Sequence, residues 1–209
     1  MTIDYWKQLK TSYAVRLFRE MAVLRSYYAT SDEAISMADV WEDLASTEFE
    51  ETDEFKTQIK FFSGNEEHNR KAGIITFASR ITLIVSHGFW RLARGNQWLQ
   101  NFLLAHEFVH VALDHHANAA VVKHFKLDSS NGVNANIPPT WEEFETNVAA
   151  VFFQCGDALF EKEKYAFELA AKYRTDKHYV ERLQRLCQSQ AFQGELGNQM
   201  AFKPKRVVL

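Results

Sequence analysis

Apolar residues recur at helical spacing from the start of the chain. Tyr13, Val15, Leu17, Phe18, Met21, Ala22 and Leu24 predict one long amphipathic helix over 4–28. Past Ser31, which suits an N-cap, Asp32-Glu33-Ala-Ile-Ser-Met-Ala predicts a second helix with acids in its first turn. The texture changes at Ala72-Gly-Ile-Ile-Thr-Phe-Ala and Ile81-Thr-Leu-Ile-Val-Ser. These short, β-branched runs, separated by Ser79-Arg80, predict a hairpin or two adjacent strands. Arg94-Gly-Asn96 reads as a loop whose Asn96 caps a helix running to about His116, with a short helix continuing over 117–127. Asp128-Ser-Ser-Asn-Gly-Val-Asn-Ala-Asn-Ile-Pro-Pro is the clearest loop. Thr140-x-x-Glu143 has the form of a capping box and opens a helix through about Phe160. Helices over 161–173 and 176–190 and a loose tail to Leu209 complete the pattern, which contains no internal repeat.

The elements predict an α+β fold, mostly α, with a small sheet or hairpin preceding one central helix and flanking helices at both ends. The expected organisation is an N-terminal helical region, 1–69, packed on a core at 70–160, followed by C-terminal helices and tail at 161–209, all in one compact domain. Only 8 Gly and 3 Pro are present, too few for the many tight turns of a sandwich or barrel.

A formal charge of −3 gives no general attraction to phosphate backbones, so direct nucleic-acid binding is not expected. No apolar run reaches the length of a membrane span, and Met-Thr-Ile-Asp-Tyr-Trp-Lys lacks a secretory pattern. The expectation is a cytoplasmic protein with no membrane partner. Cys155 and Cys187 are too few for a disulfide framework and are expected to be reduced, buried thiols on helices. Ten acidic and no basic residues lie between Arg25 and Lys56. A solvated helix face plus loop explains them, with an acidic docking surface as the alternative. Lys203-Pro-Lys-Arg reads as a solvated end.

The chemistry concentrates in Leu103-Leu-Ala-His106-Glu107-Phe-Val-His110-Val-Ala-Leu-Asp114-His-His116. Four residues are slightly more than one helical turn, so His106 and His110 project from one face and can share a Zn²⁺ ion. Glu107 lies about 100° around the helix, near the metal but poorly placed to ligate it, where a general base belongs. Phe102, Leu103, Ala105, Phe108, Val109, Ala112 and Leu113 surround this polar trio, and burying it without a function is costly.

A catalytic zinc site needs a third protein ligand. His116 stands at the spacing of a third motif histidine. However, Leu113 occupies the position where a glycine would let the chain turn back, which leaves His116 too far along the helix. The other source is an acid at the start of the helix opened by Thr140. Glu145 shares a stripe with Ala149 and Phe152 and points the way the buried face points, which makes it the first choice. Glu142 is the substitute, and Glu143 is assigned to the capping box. Asp114 is a candidate to orient a ligand imidazole. Tyr165, Tyr173, Tyr179 and His124 are all open as oxyanion stabilisers.

Asn101-Phe-Leu-Leu-Ala-His-Glu-Phe-Val-His110, preceded by the strands at Ile74–Ser86 and followed by Glu145-Thr-Asn-Val-Ala-Ala-Val-Phe-Phe153, resembles the ImmA/IrrE-type metallopeptidase domain. The resemblance covers roughly residues 70–155 and keeps the order of the parts. It departs from the usual pattern at Val109, Thr146, Ala149 and Cys155-Gly156. It implies His106, His110 and Glu145 as zinc ligands and Glu107 as catalytic base. It also implies cleavage of a specific intracellular protein substrate, often a helix-turn-helix DNA-binding repressor. The alternative function is a non-proteolytic regulatory or binding module that retains the zinc site.

Overall fold

The computed structural model describes residues 4–30, 32–46, 56–62, 72–77, 80–95, 97–113, 122–124 and 140–198. The architecture is α+β and mostly α, as expected. Two compact units divide the chain: Met1–Ile35 with Asn136–Val207, and Ser36–Ala135 with Val208–Leu209.

The second unit holds the sheet. Strands β1 (Lys56–Phe62), β2 (Ala72–Phe77), β3 (Arg80–Ser86) and β4 (Val122–His124) are ordered β1-β3-β2-β4. β2 and β3 form the expected antiparallel hairpin, with Ile74 opposite Leu83. β3 is the inner strand on which β1 pairs in parallel, and its Ile81, Leu83 and Val85 are buried. β1 escaped the sequence reading because it is an edge strand with little apolar periodicity. Its Thr57, Gln58 and Ile59 are half-buried, Lys60 and Phe61 are exposed, and Gln58 Nε2 donates across the ladder to Thr82 Oγ1 at 2.7 Å. The short helix expected over 117–127 is contradicted where it is described, since Val122–His124 pair with β2 as β4. Three residues are too few to carry a readable period, and pairing to a neighbouring strand overrides local preference.

Three helices accompany the sheet: α2 (Met37–Ser46), α3 (His87–Arg94) and α4 (Trp98–Ala112). Ser86 Oγ accepts from Phe89 N–H at 3.1 Å and starts α3 directly from the end of β3. α2 begins at Met37, later than expected, and the acids Asp32 and Glu33 precede it without forming a first turn. Its entry is set by tertiary contact: the Met37 N–H donates to Asn101 Oδ1 on α4 at 2.9 Å, an N-cap supplied from another helix. α4 ends at Ala112 with Leu113 as C-cap, short of His116. Ser31, Asn96, the 128–139 loop and the 203–206 basic cluster lie outside the described residues.

The first unit is helical: α1 (Thr11–Ser26), α5 (Trp141–Cys155), α6 (Ala166–Tyr173), α7 (Lys177–Cys187) and α8 (Gln190–Asn198). The long helix expected over 4–28 is interrupted. Tyr5–Lys7 form a separate 3-10 turn, and Lys10, with extended backbone, precedes α1. α8 occupies a stretch read as loose tail; its buried Phe192 meets Phe18, Phe152 and Phe160 and ties it to the core. Cys155 and Cys187 are free and buried, and burial pushes the Cys155 thiol up to about 12 and the Cys187 thiol up as well.

α5 stops at Cys155, and Gly156–Phe160 continue as a 3-10 turn. The stop is built around Arg25, which is buried at the end of α1. Its Nη1 donates to the carbonyls of Phe153 (3.0 Å) and Gln154 (2.6 Å), and its Nη2 to those of Thr30 (3.2 Å) and Glu33. A cation on the last carbonyls of a helix satisfies orphan acceptors and complements the macrodipole. Gly156 has φ of +51°, and a Cβ there would lie 2.9 Å from Arg25 Cδ. Gly156→Ala is therefore expected to cost about 2 kcal/mol. For a chain of this size, that lowers the melting temperature by roughly 4–8 °C. A melt indistinguishable from the parent's would contradict this packing.

Candidate metal centre

α4 is buried on every side: each residue from Gln100 to His110 is buried. His106, Glu107 and His110 are 0%, 2% and 1% exposed, so the polar trio sits in the interior. The helix is fixed around it. Trp41 Nε1 on α2 donates to the Leu104 carbonyl at 3.1 Å, and the Trp41 ring meets Phe108 edge-on at 6.2 Å. These contacts grip α4 on both sides of His106.

The imidazoles of His106 and His110 face each other, with Nε2 atoms 2.9 Å apart and ring centroids 4.5 Å apart at 80°. Two lone pairs cannot converge at this distance without repulsion, so a proton or a cation must lie between them. Two nitrogens at ~2.0–2.1 Å from a tetrahedral zinc are about 3.3 Å apart, so a small opening of the pair would admit the ion. The arrangement fits a metal, and both donors already lie on one face.

The acids lie on the opening turn of α5. Thr140 Oγ1 accepts from the Glu143 N–H at 3.2 Å, which is the Thr140 half of the expected capping box. Glu142, Glu143 and Glu145 are each half-buried. Val148, Ala149 and Phe152, the residues expected to line the face of Glu145, are fully buried. Desolvation by burial raises the Glu145 carboxyl above its ordinary range. A raised carboxyl favours the folded state most fully below the ordinary carboxylate pKa, and that contribution is lost as pH rises through the raised value. In the metal-free chain, Glu145→Gln is thus expected to be more stable than the parent at pH 8 and equal to it near pH 4. Urea melts at the two pH values test this, and a gap that ignores pH would contradict it.

Among the described residues, His106 and His110 on α4 offer two donor nitrogens, and Glu142, Glu143 and Glu145 on α5 are the carboxylates that could complete a set of metal ligands. The sequence pattern assigns Glu143 to the helix cap and favours Glu145 as the third ligand. Asn147, four residues on from Glu143 and therefore on the same helical face, is one of the buried polar residues of α5. Asn147 Nδ2 donates to Tyr179 OH at 3.2 Å, and burial raises the Tyr179 phenol. Of the other tyrosines considered, Tyr165 is exposed and Tyr173 is fully buried, with the Arg25 guanidinium 5.6 Å from its ring centroid. His124 lies on β4. None of the four is assigned a role at the site. Asp114, His115 and His116 lie outside the described residues.

No protein-family model matches the chain, and no curated protein or solved structure is found similar to it. Among the described residues, no helix is long and apolar enough to cross a membrane.

Proposed function

We propose that this protein is a zinc-dependent peptidase in which His106 and His110 hold the ion together with a carboxylate of the opening turn of α5, Glu145 or Glu143, and Glu107 is the general base. The observation that carries this reading is the buried His106–Glu107–His110 triplet on α4, its two Nε2 atoms 2.9 Å apart. The resemblance to ImmA/IrrE-type metallopeptidases supports the same chemistry and implies Glu145 as the third ligand. Zinc, when bound, supplies Lewis acidity: it makes water acidic enough to ionise near pH 7 and polarises a carbonyl. Glu107, one residue from His106 and buried beside it, accepts a proton from the attacking water on a carboxylate oxygen. It then returns that proton to the amine nitrogen released when the peptide C–N bond breaks. Burial of Glu107, 2% exposed, keeps bulk water from this carboxylate and strengthens its interaction with nearby charge.

The substrate proposed is a specific intracellular protein, with a helix-turn-helix DNA-binding repressor as the leading class, and the compartment proposed is the cytoplasm. The test is incubation of the zinc-loaded chain with purified repressors of that class, followed by mapping of new N-termini. A single defined cut that disappears with a chelator supports the reading. Stable binding without any cut supports the regulatory-module alternative instead.

A further inference from the structure

We infer that the N-terminal turn Tyr5–Lys7 is a positioning clamp on the carboxylate-bearing first turns of α5. The inference rests on the metal reading above for its consequence, though not for its geometry. Tyr5 stacks on Phe144 with centroids 5.7 Å apart and meets Trp141 edge-on at 6.1 Å. Trp6 meets Phe144 edge-on at 4.9 Å and lies against Tyr179 at 5.5 Å. The Arg182 guanidinium sits over the Trp6 ring, 5.2 Å from its centroid, and so holds the indole from the side of α7. Tyr13 on α1 completes the ring of aromatics through Trp141 at 6.0 Å.

Position along the helix gives these contacts their meaning. Trp141 and Phe144 are three apart and flank Glu142 and Glu143 within a single turn. Tyr179, gripped by Trp6, also accepts the hydrogen bond from Asn147, one turn beyond Glu143 on the same face. The turn of α5 that carries the acids thus packs against Tyr5, Trp6, Tyr13 and Tyr179, from elements distant in sequence. A helix start is the place where a helix frays most readily, and here the Thr140 hydroxyl caps it. The clamp also explains why the chain leaves helical conformation at Gln8–Leu9: Tyr5 and Trp6 turn aside to meet α5. Trp6 is accordingly a positioning residue for the carboxylates of this turn.

Two measurements on the full chain test this. The first is Zn²⁺ affinity by competition with a chromophoric chelator for the parent, Trp6→Ala, Trp6→Phe and Phe192→Leu, the last a core change remote from the clamp. The second is amide hydrogen exchange over 142–147 in the metal-free proteins. Trp6→Ala is expected to weaken zinc binding about 10-fold, the scale on which supporting contacts tune a metal site. It should also speed exchange over 142–147 relative to 150–155. Trp6→Phe should recover most of both, and Phe192→Leu should change neither selectively. Should Trp6→Ala fail to fold, Arg182→Met removes the cation alone and is expected to move both readouts in the same direction, by less. Unchanged exchange over 142–147 in Trp6→Ala or Arg182→Met overturns the clamp, as does equal loss of zinc affinity in Phe192→Leu. Faster exchange over 142–147 together with no zinc binding by the parent supports the clamp and sinks the metal reading, so the two failures are separable.

Discussion

Glu107→Gln is expected to abolish hydrolysis while leaving the metal in place. The amide matches the carboxylate in shape and fills the same buried space, 2% exposed in the parent, so α4 should keep its packing. What it loses is the ability to take a proton from water, a contribution worth about 10²–10⁴ in rate. Zinc content should stay at the parental level because Glu107 is not among the proposed ligands. The measurement is cleavage of an identified substrate by zinc-loaded parent and variant, with metal content determined on the same samples. Retained cleavage in the variant would remove Glu107 from the mechanism. Loss of both cleavage and metal would mean that Glu107 ligates the ion.

His110→Ala is expected to weaken zinc binding by more than about 100-fold, a larger effect than loss of a supporting partner, because it removes a direct ligand. The carboxylates divide differently. One of Glu143→Ala and Glu145→Ala should weaken zinc binding strongly, and the other should leave it near the parental value. If Glu145→Ala loses the ion and Glu143→Ala retains it, the ligand is the acid favoured by the sequence stripe. His116→Ala is expected to leave affinity largely intact, and loss of the ion in that variant would favour His116 as the third ligand.

The comparison of sequence and structure turns on what each residue pattern can encode. His106, Glu107 and His110 were legible because both the spacing and the apolar surroundings act locally, and the helix is buried along its whole motif. The β2–β3 hairpin was legible for the same reason, since its β-branched runs carry their own period. The choice of a third ligand is not encoded locally. Three acids fall within a single turn of α5, and the choice among them depends on how packing of Phe144, Val148 and Phe152 rotates the helix about its axis. No local pattern states that rotation. β1 was hidden by its half-polar edge composition and β4 by its brevity. The start of α2 was displaced because its cap comes from Asn101, 64 residues away. The break before α1 was missed because Tyr5 and Trp6 look like helix-face residues until the aromatic surface of α5 is known to receive them.

The central claim is that the paired imidazoles on α4 are there to hold a metal ion. Elemental analysis of the chain purified without chelator, then dialysed against trace zinc, tests it most directly. The expected result is about one zinc per chain for the parent and essentially none for His110→Ala, with both proteins folded by circular dichroism. A folded parent that takes up no transition metal under these conditions would contradict the account and leave the 2.9 Å contact as a buried histidine–histidine hydrogen bond.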